Sequence, residues 1–313
     1  MRSGAVRWLT FTAMVLAALV AAKVLSRFNA ASIQDDAYMF TRYADNILLT
    51  GVPSFNPGGE AAFGLTSPAF LAVVLPIRAV LPRDPAWTML CSSALCGLVF
   101  VWLLTVLVGR SFDGANPPLG HIVGAVVLIS AVLAMNDISA HFLSGMDTMA
   151  TLAFLTGYIL VFMRHQRSLT VSSAWLTGCL GGLAFSVRPD LLIYTVTVPA
   201  AVLLAHPDRR SRLRAAVILI ITASVAGLQI LLYSKYLHSP FPLAFYAKSI
   251  GFYGGHLQEQ YRLEAAKQLY RYITSYPFLF SAIGMALLMD ARGWWRGLSA
   301  VGKGLLPATA VFI

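Results

Sequence analysis

Two carboxylates stand side by side in the stretch SIQDDAYMFTRYADN, residues 32–46. Asp35 and Asp36 belong to a chain in which only 13 of 313 residues are acidic. Adjacent carboxylates repel each other, which raises the proton affinity of at least one of them. A general base needs a pKa near its working pH, so the pair suits that role. The plainer reading is that one aspartate caps a helix opening at Ala37, and the two roles are compatible. Other polar residues recur beside apolar runs. FNPGGEAAFGLTSP, residues 55–68, carries Asn56, Glu60 and Thr66. Turn chemistry accounts for Asn56 with its proline and glycines, but not for Glu60. SGMDT, 144–148, sets Asp147 at the start of an apolar run, with Ser144 placed to cap a helix. His141, just upstream, reads as a surface residue. SVRPDLL, 186–192, puts Arg188 and Asp190 between two apolar runs, and AFYAKS, 244–249, adds Lys248. Long cationic side chains there can simply snorkel, yet a guanidinium is also a good clamp for phosphate. Together these groups could move a proton from an acceptor to a carboxylate while cations steady a phosphate leaving group. No His/Cys/Glu metal spacing, glycine-rich nucleotide loop or serine nucleophile elbow accompanies them.

The elements that must position these residues are apolar. Hydrophobic residues make up 58% of the chain and charged residues 12%, about half the charge of an ordinary soluble domain. A bilayer core about 30 Å thick takes roughly 20 apolar residues per helical span. About ten such segments are predicted, at 6–28, 67–82, 86–108, 119–135, 146–163, 172–187, 191–205, 214–233, 274–290 and from 298 onward. The fold class is therefore an all-α polytopic membrane protein, read as one transmembrane domain over residues 1–313. The runs lack the two-residue alternation of a membrane β-barrel. The net charge of +10 fits cytoplasmic loops rich in Lys and Arg, and no nucleic-acid partner is implied. Cys91, Cys96 and Cys179 lie inside apolar runs and read as small buried hydrophobes.

Basic loops at 164–167, 206–214 and 291–296, with Arg2 and Arg7, are assigned to the inside. Long loops near 29–66 and 234–272 then face outward, together with Arg188, Pro189 and Asp190. Four apolar segments between residues 67 and 163 give the wrong parity for that assignment, so either one of them is short or re-entrant or two of them are one. In the first outer loop, Tyr38, Arg42 and Asp45 follow helical spacing and Gly51 supplies a stop, which predicts an amphipathic helix along the membrane surface. The chain ends inside an apolar run, as a protein lacking its C-terminal part would.

The block DDAYMFTRYADNILLTGVPSFNPGGEAAFGLTSPAF resembles the first outer loop of a family of GT-C-type membrane glycosyltransferases. The similarity extends to the terminal β-(1→2)-arabinofuranosyltransferases of the mycobacterial cell wall. SGMDT, SVRPDLL and SPFPLAFYAKS follow in the family's order, so the resemblance covers about residues 30–250. It implies a GT-C-like helix bundle at the cytoplasmic membrane with its active face outside or periplasmic. It also implies inverting transfer of a sugar, arabinofuranose among the candidates, from a polyprenyl-phosphate donor to a cell-envelope glycan or lipid. Carried over, Asp35 is the general base and Asp36 its partner. Arg188 and Lys248 are assigned to the donor phosphate by their charge. Arg42, Tyr43, Asn56, Glu60, Thr66, Asp147 and Asp190 are the substrate-binding candidates. The sequence departs from the family pattern at Asp147, where Glu is usual, and at Leu191, where Gly is usual. A divalent metal ion is left open, since paired aspartates can hold one. The competing readings are a transporter or lipid flippase, which would place its polar groups near mid-membrane between repeats, and an inactive assembly partner.

Overall fold

A computed structural model describes residues 33–81, 84–111, 140–168, 171–206, 208–249 and 267. Every regular element among them is helical: α1 (Tyr38–Thr50), α2 (Pro68–Val80), α3 (Pro85–Ser111), α4 (Thr148–Ser168), α5 (Val171–Val187), α6 (Leu192–Ala205), α7 (Arg209–Tyr236) and α8 (Leu243–Ser249). Short 3-10 turns, Asp35–Ala37 and Pro189–Leu191, lead into α1 and α6. Three helices, within α3, α4 and α7, are long and apolar enough to cross a membrane. α2 has only 13 residues, about 20 Å at the α-helical rise. The predicted segments at 6–28, 119–135, 274–290 and beyond 298 lie outside the described residues, as does the part of the predicted 234–272 loop after Ser249 apart from Lys267.

The chain falls into two compact units. The first comprises the described residues up to Arg164 with Ser186–Arg188 and Tyr236–His238. Its core forms where α1 meets α2 and α3. α1 buries Phe40, Tyr43 and Ala44, three and four residues apart and therefore on one helical face. Phe40 meets Phe70 edge to face, with ring centroids 5.0 Å apart, and Val74, Met89, Leu90 and Met149 complete the cluster. α1 stops where Gly51, at φ 75°, turns left-handed and donates its N–H to the Ile47 carbonyl; only Gly takes that conformation without steric cost. The predicted helix and its stop are thus both present.

The second unit comprises His165–Phe185, Pro189–Lys235 and the residues from Ser239 onward. Here α5 and α7 approach closely along glycines. A Cβ at Gly178 would lie 2.6 Å from the Ile221 Cβ, and one at Gly182 would collide with Val225. The contact is also polar. Thr222 Oγ1 donates to the Gly178 carbonyl at 3.2 Å, and Gln229 Nε2 to the Gly182 carbonyl at 2.8 Å. From α6, Thr195 Oγ1 donates to the Gly181 carbonyl at 3.0 Å. Small residues that let side chains reach a neighbouring backbone are a recurrent way to join helices in lipid. α7 begins at Arg209, five residues before the predicted apolar run. Asp208 caps it, accepting the Ser211 N–H at 2.9 Å and the Arg210 N–H at 3.2 Å.

Candidate functional site

The site is built from short turns of the first unit. The turn before α4 holds Gly145 at φ 72°. A Cβ there would sit 2.8 Å from the Met89 Cβ and 3.1 Å from the Ala37 Cβ, so the absent side chain is what lets this turn lie against the Asp35–Ala37 turn. A backbone bond joins the two, with the Gln34 N–H donating to the Ser144 carbonyl at 3.1 Å. Ser144 Oγ accepts the Met146 N–H at 3.2 Å, a local turn bond in place of the predicted helix cap. Asp147 stands at the N-cap position instead, its carbonyl accepting the Thr151 N–H at 2.9 Å.

Asp147 is buried, its side chain 2% exposed. Thr66 Oγ1 donates to its Oδ2 at 3.4 Å. On the other oxygen, Arg188 Nη1 lies 3.9 Å from Oδ1, and the arginine side chain remains 33% exposed. Thr66 is placed by Ser67, whose hydroxyl caps α2 by accepting the Phe70 N–H at 3.2 Å. Three stretches distant in sequence, around residues 66, 147 and 188, therefore meet at one carboxylate, and the 33–37 turn adjoins the same loop.

Asp35 and Asp36 are exposed in their 3-10 turn. Asp35 Oδ1 accepts the Asp36 N–H at 3.0 Å. Neither aspartate caps α1: its N-cap is Ala37, and neither Ala37 nor Gln34 makes a side-chain cap bond. The expected capping role is thus replaced by a bond within the pair, and the Asp36 carboxylate makes no hydrogen bond or ion pair among the described residues.

The RYADN segment braces this region. Arg42 Nε donates to the Phe55 carbonyl at 2.9 Å, and its guanidinium lies over the Phe55 ring, 4.4 Å from the centroid. Asn46, one helical turn on, donates to the Ser54 carbonyl at 2.7 Å and the Phe55 carbonyl at 3.2 Å. Tyr43 Oη accepts the Gly64 N–H at 3.1 Å, and any Cβ at Gly64 would strike that hydroxyl. Burial pushes the Tyr43 phenol above its ordinary pKa, and the Gly64 N–H partly opposes the shift. Asp45 takes Arg78 in a two-point pair at 2.7 and 3.1 Å, which ties α1 to α2. Arg42 and Tyr43, candidate substrate ligands in the sequence, spend these contacts on holding the 52–64 loop. The Asp45–Arg78 pair was not foreseen, because Arg78 is hidden inside an apolar run.

Asn56 and Glu60 are exposed on that loop. The Asn56 carbonyl accepts the Gly59 N–H at 2.9 Å and the Ser54 hydroxyl at 2.9 Å, the turn chemistry expected of it. Asp190 lies in the Pro189–Leu191 turn, and Lys248 on α8, both in the second unit; the Lys248 side chain lies outside the described residues. Among the described residues no three His, Cys, Asp or Glu side chains gather as metal ligands would.

The arrangement defines a class of protein only coarsely: a helical chain with membrane-spanning helices that carries a buried carboxylate, a half-exposed arginine and an exposed aspartate pair in one unit. Set against known proteins, the chain matches no family model, no curated protein and no solved structure.

Proposed function

We propose that the chain is a membrane glycosyltransferase that moves a sugar from a polyprenyl-phosphate donor to a hydroxyl of a cell-envelope acceptor, at the outer face of the cytoplasmic membrane. The observation that carries the reading is the meeting of Thr66, Asp147 and Arg188 beside the turn that bears Asp35. Glycosyl transfer from a lipid phosphate needs a base for the acceptor hydroxyl and a cation for the departing phosphate. Asp35 and Asp36 are exposed carboxylates that can reach an acceptor, and Arg188 is a partly exposed cation, beside a buried carboxylate, that can reach a phosphate. The resemblance of residues 30–250 to GT-C-type enzymes supports the same reading.

In this account Asp35 takes the acceptor proton as the acceptor oxygen attacks the anomeric carbon. The bond from that carbon to the phosphate oxygen breaks, and the polyprenyl phosphate leaves with the electron pair, its charge steadied by Arg188. Membranes that contain only this chain are incubated with labelled polyprenyl-phosphate arabinose and an envelope acceptor. The parent chain transfers the label, and Asp35→Asn lowers transfer by about 10²–10⁴-fold, the usual worth of a general base, with normal insertion and melting. Undiminished transfer by Asp35→Asn removes the general-base assignment. A parent that binds the donor without turnover favours the inactive-partner reading.

A further inference from the structure

The geometry points to Asp147 as a positioning residue that aims the Arg188 guanidinium at a phosphate group, rather than as a ligand of the sugar; the inference rests on the transfer reading above. Three observations carry it. Asp147 is closed off, 2% exposed at its side chain, whereas Arg188 is 33% exposed, so a ligand arriving from solvent meets the arginine first. Both carboxylate oxygens are already engaged from within, Oδ2 by the Thr66 hydroxyl and Oδ1 by the Arg188 guanidinium. The carboxylate is itself fixed, since Asp147 opens α4 with its carbonyl on the Thr151 N–H and follows Gly145 in a turn packed on Met89 and Ala37.

A guanidinium is a planar fork with five donors. A buried carboxylate 3.9 Å from one of its nitrogens attracts the charge and draws the guanidinium to that side of the site, which favours its use in recognising a phosphate. Thr66 extends the same chain of contacts to the start of α2. Arg188 is then the binding residue, Asp147 orients it, and Thr66 orients Asp147.

A double-mutant cycle tests this with the full chain in detergent micelles, with undecaprenyl monophosphate as the titrated probe. Arg188→Gln and Asp147→Asn each weaken binding about tenfold, the worth of one charge-assisted contact. The Asp147→Asn/Arg188→Gln pair is no weaker than Arg188→Gln alone, because an orienting residue has nothing left to orient. Asp147→Glu, which keeps the charge, retains binding within about twofold of the parent, and Thr66→Val gives a smaller loss in the same direction as Asp147→Asn. Should Arg188→Gln fail to accumulate, Arg188→Met, which also removes the charge, takes its place in the cycle with the same expectation. Independent, multiplying losses from the two sites overturn the inference, as does full binding by Asp147→Asn, while the transfer reading stands in either case. A parent chain that binds no undecaprenyl phosphate overturns both.

Discussion

The α1 region of the first unit and the α5–α7 contact of the second join helices in opposite ways. Around α1, charged and polar side chains reach out to the 52–64 loop and to α2. Arg42 and Asn46 hold the Phe55 carbonyl, Tyr43 holds Gly64, and Asp45 holds Arg78. Between α5 and α7, side chains are removed so that backbones can touch, and Thr222 and Gln229 donate to the carbonyls that glycine leaves open. The first arrangement fixes irregular chain in a chosen shape, which a chemical site requires. The second fixes regular chain against regular chain, which a helix pair in lipid requires. Polar residues near the candidate site are thus of two kinds: those that build the loop and those that the loop presents.

The sharpest way to break the first arrangement is Gly145→Ala. A Cβ there costs about 1–2 kcal/mol for the left-handed backbone and a further 1–3 kcal/mol for overpacking against Met89 and Ala37. A fall of about 3 kcal/mol in unfolding free energy is expected from denaturant titration in micelles, together with loss of transfer. Gly182→Ala addresses the second arrangement. It should cost about 2 kcal/mol by overpacking against Val225, and the affinity for undecaprenyl phosphate should be unchanged in the fraction that remains folded. Asn46→Ala is milder, about 1 kcal/mol for the lost bonds to Ser54 and Phe55. Its signature is local: faster proteolytic cutting within residues 52–64.

The smallest effect concerns the end of α7. The Ser211 hydroxyl, then the Ser211 and Arg210 backbone N–H groups, hold the Asp208 carboxyl below its ordinary pKa of 3.8. A depressed folded value means that the cap is fully effective above pH 3.8 and is lost as pH falls through the lower folded value. Protection of the Arg210 and Ser211 amides, taken relative to their intrinsic exchange rates, should therefore fall in that acid range, and Asp208→Ala should show the lower protection already at neutral pH.

Much of the scaffold was legible in the sequence. The apolar runs at 86–108, 146–163, 172–187 and 191–205 became α3, α4, α5 and α6 with ends moved by a few residues; of these, α3 and α4 are long and apolar enough to cross a membrane, whereas α5 and α6 are shorter than the predicted spans require. Gly51 marked the end of α1 because its freedom at positive φ is a property of the residue itself. The start of α7 was missed for the opposite reason. Arg209, Arg210 and Arg212 interrupt the apolar run, yet arginine is a good helix former and Asp208 supplies the cap. That Asp35 or Asp36 caps a helix opening at Ala37 is a local inference that the 3-10 turn overrides. The uses of Arg42, Asn46 and Arg78 were not legible, since each bonds a carbonyl or carboxylate 3 to 33 residues away that only the folded loop brings within reach. The pairing of Asp147 with Arg188, 41 residues apart by their numbers, is of the same kind.

The account depends on the Asp35–Ala37 turn lying against the loop that leads to Asp147. Cysteines placed by Gln34→Cys and Met146→Cys, in a chain whose Cys91, Cys96 and Cys179 are replaced by alanine, test this in native membranes with a short bifunctional thiol reagent. The account predicts an intramolecular cross-link in high yield, detected by mass spectrometry of the digested protein and absent from either single-cysteine chain. Two freely labelled cysteines with no cross-link, in a chain that inserts and melts like the parent, would contradict it.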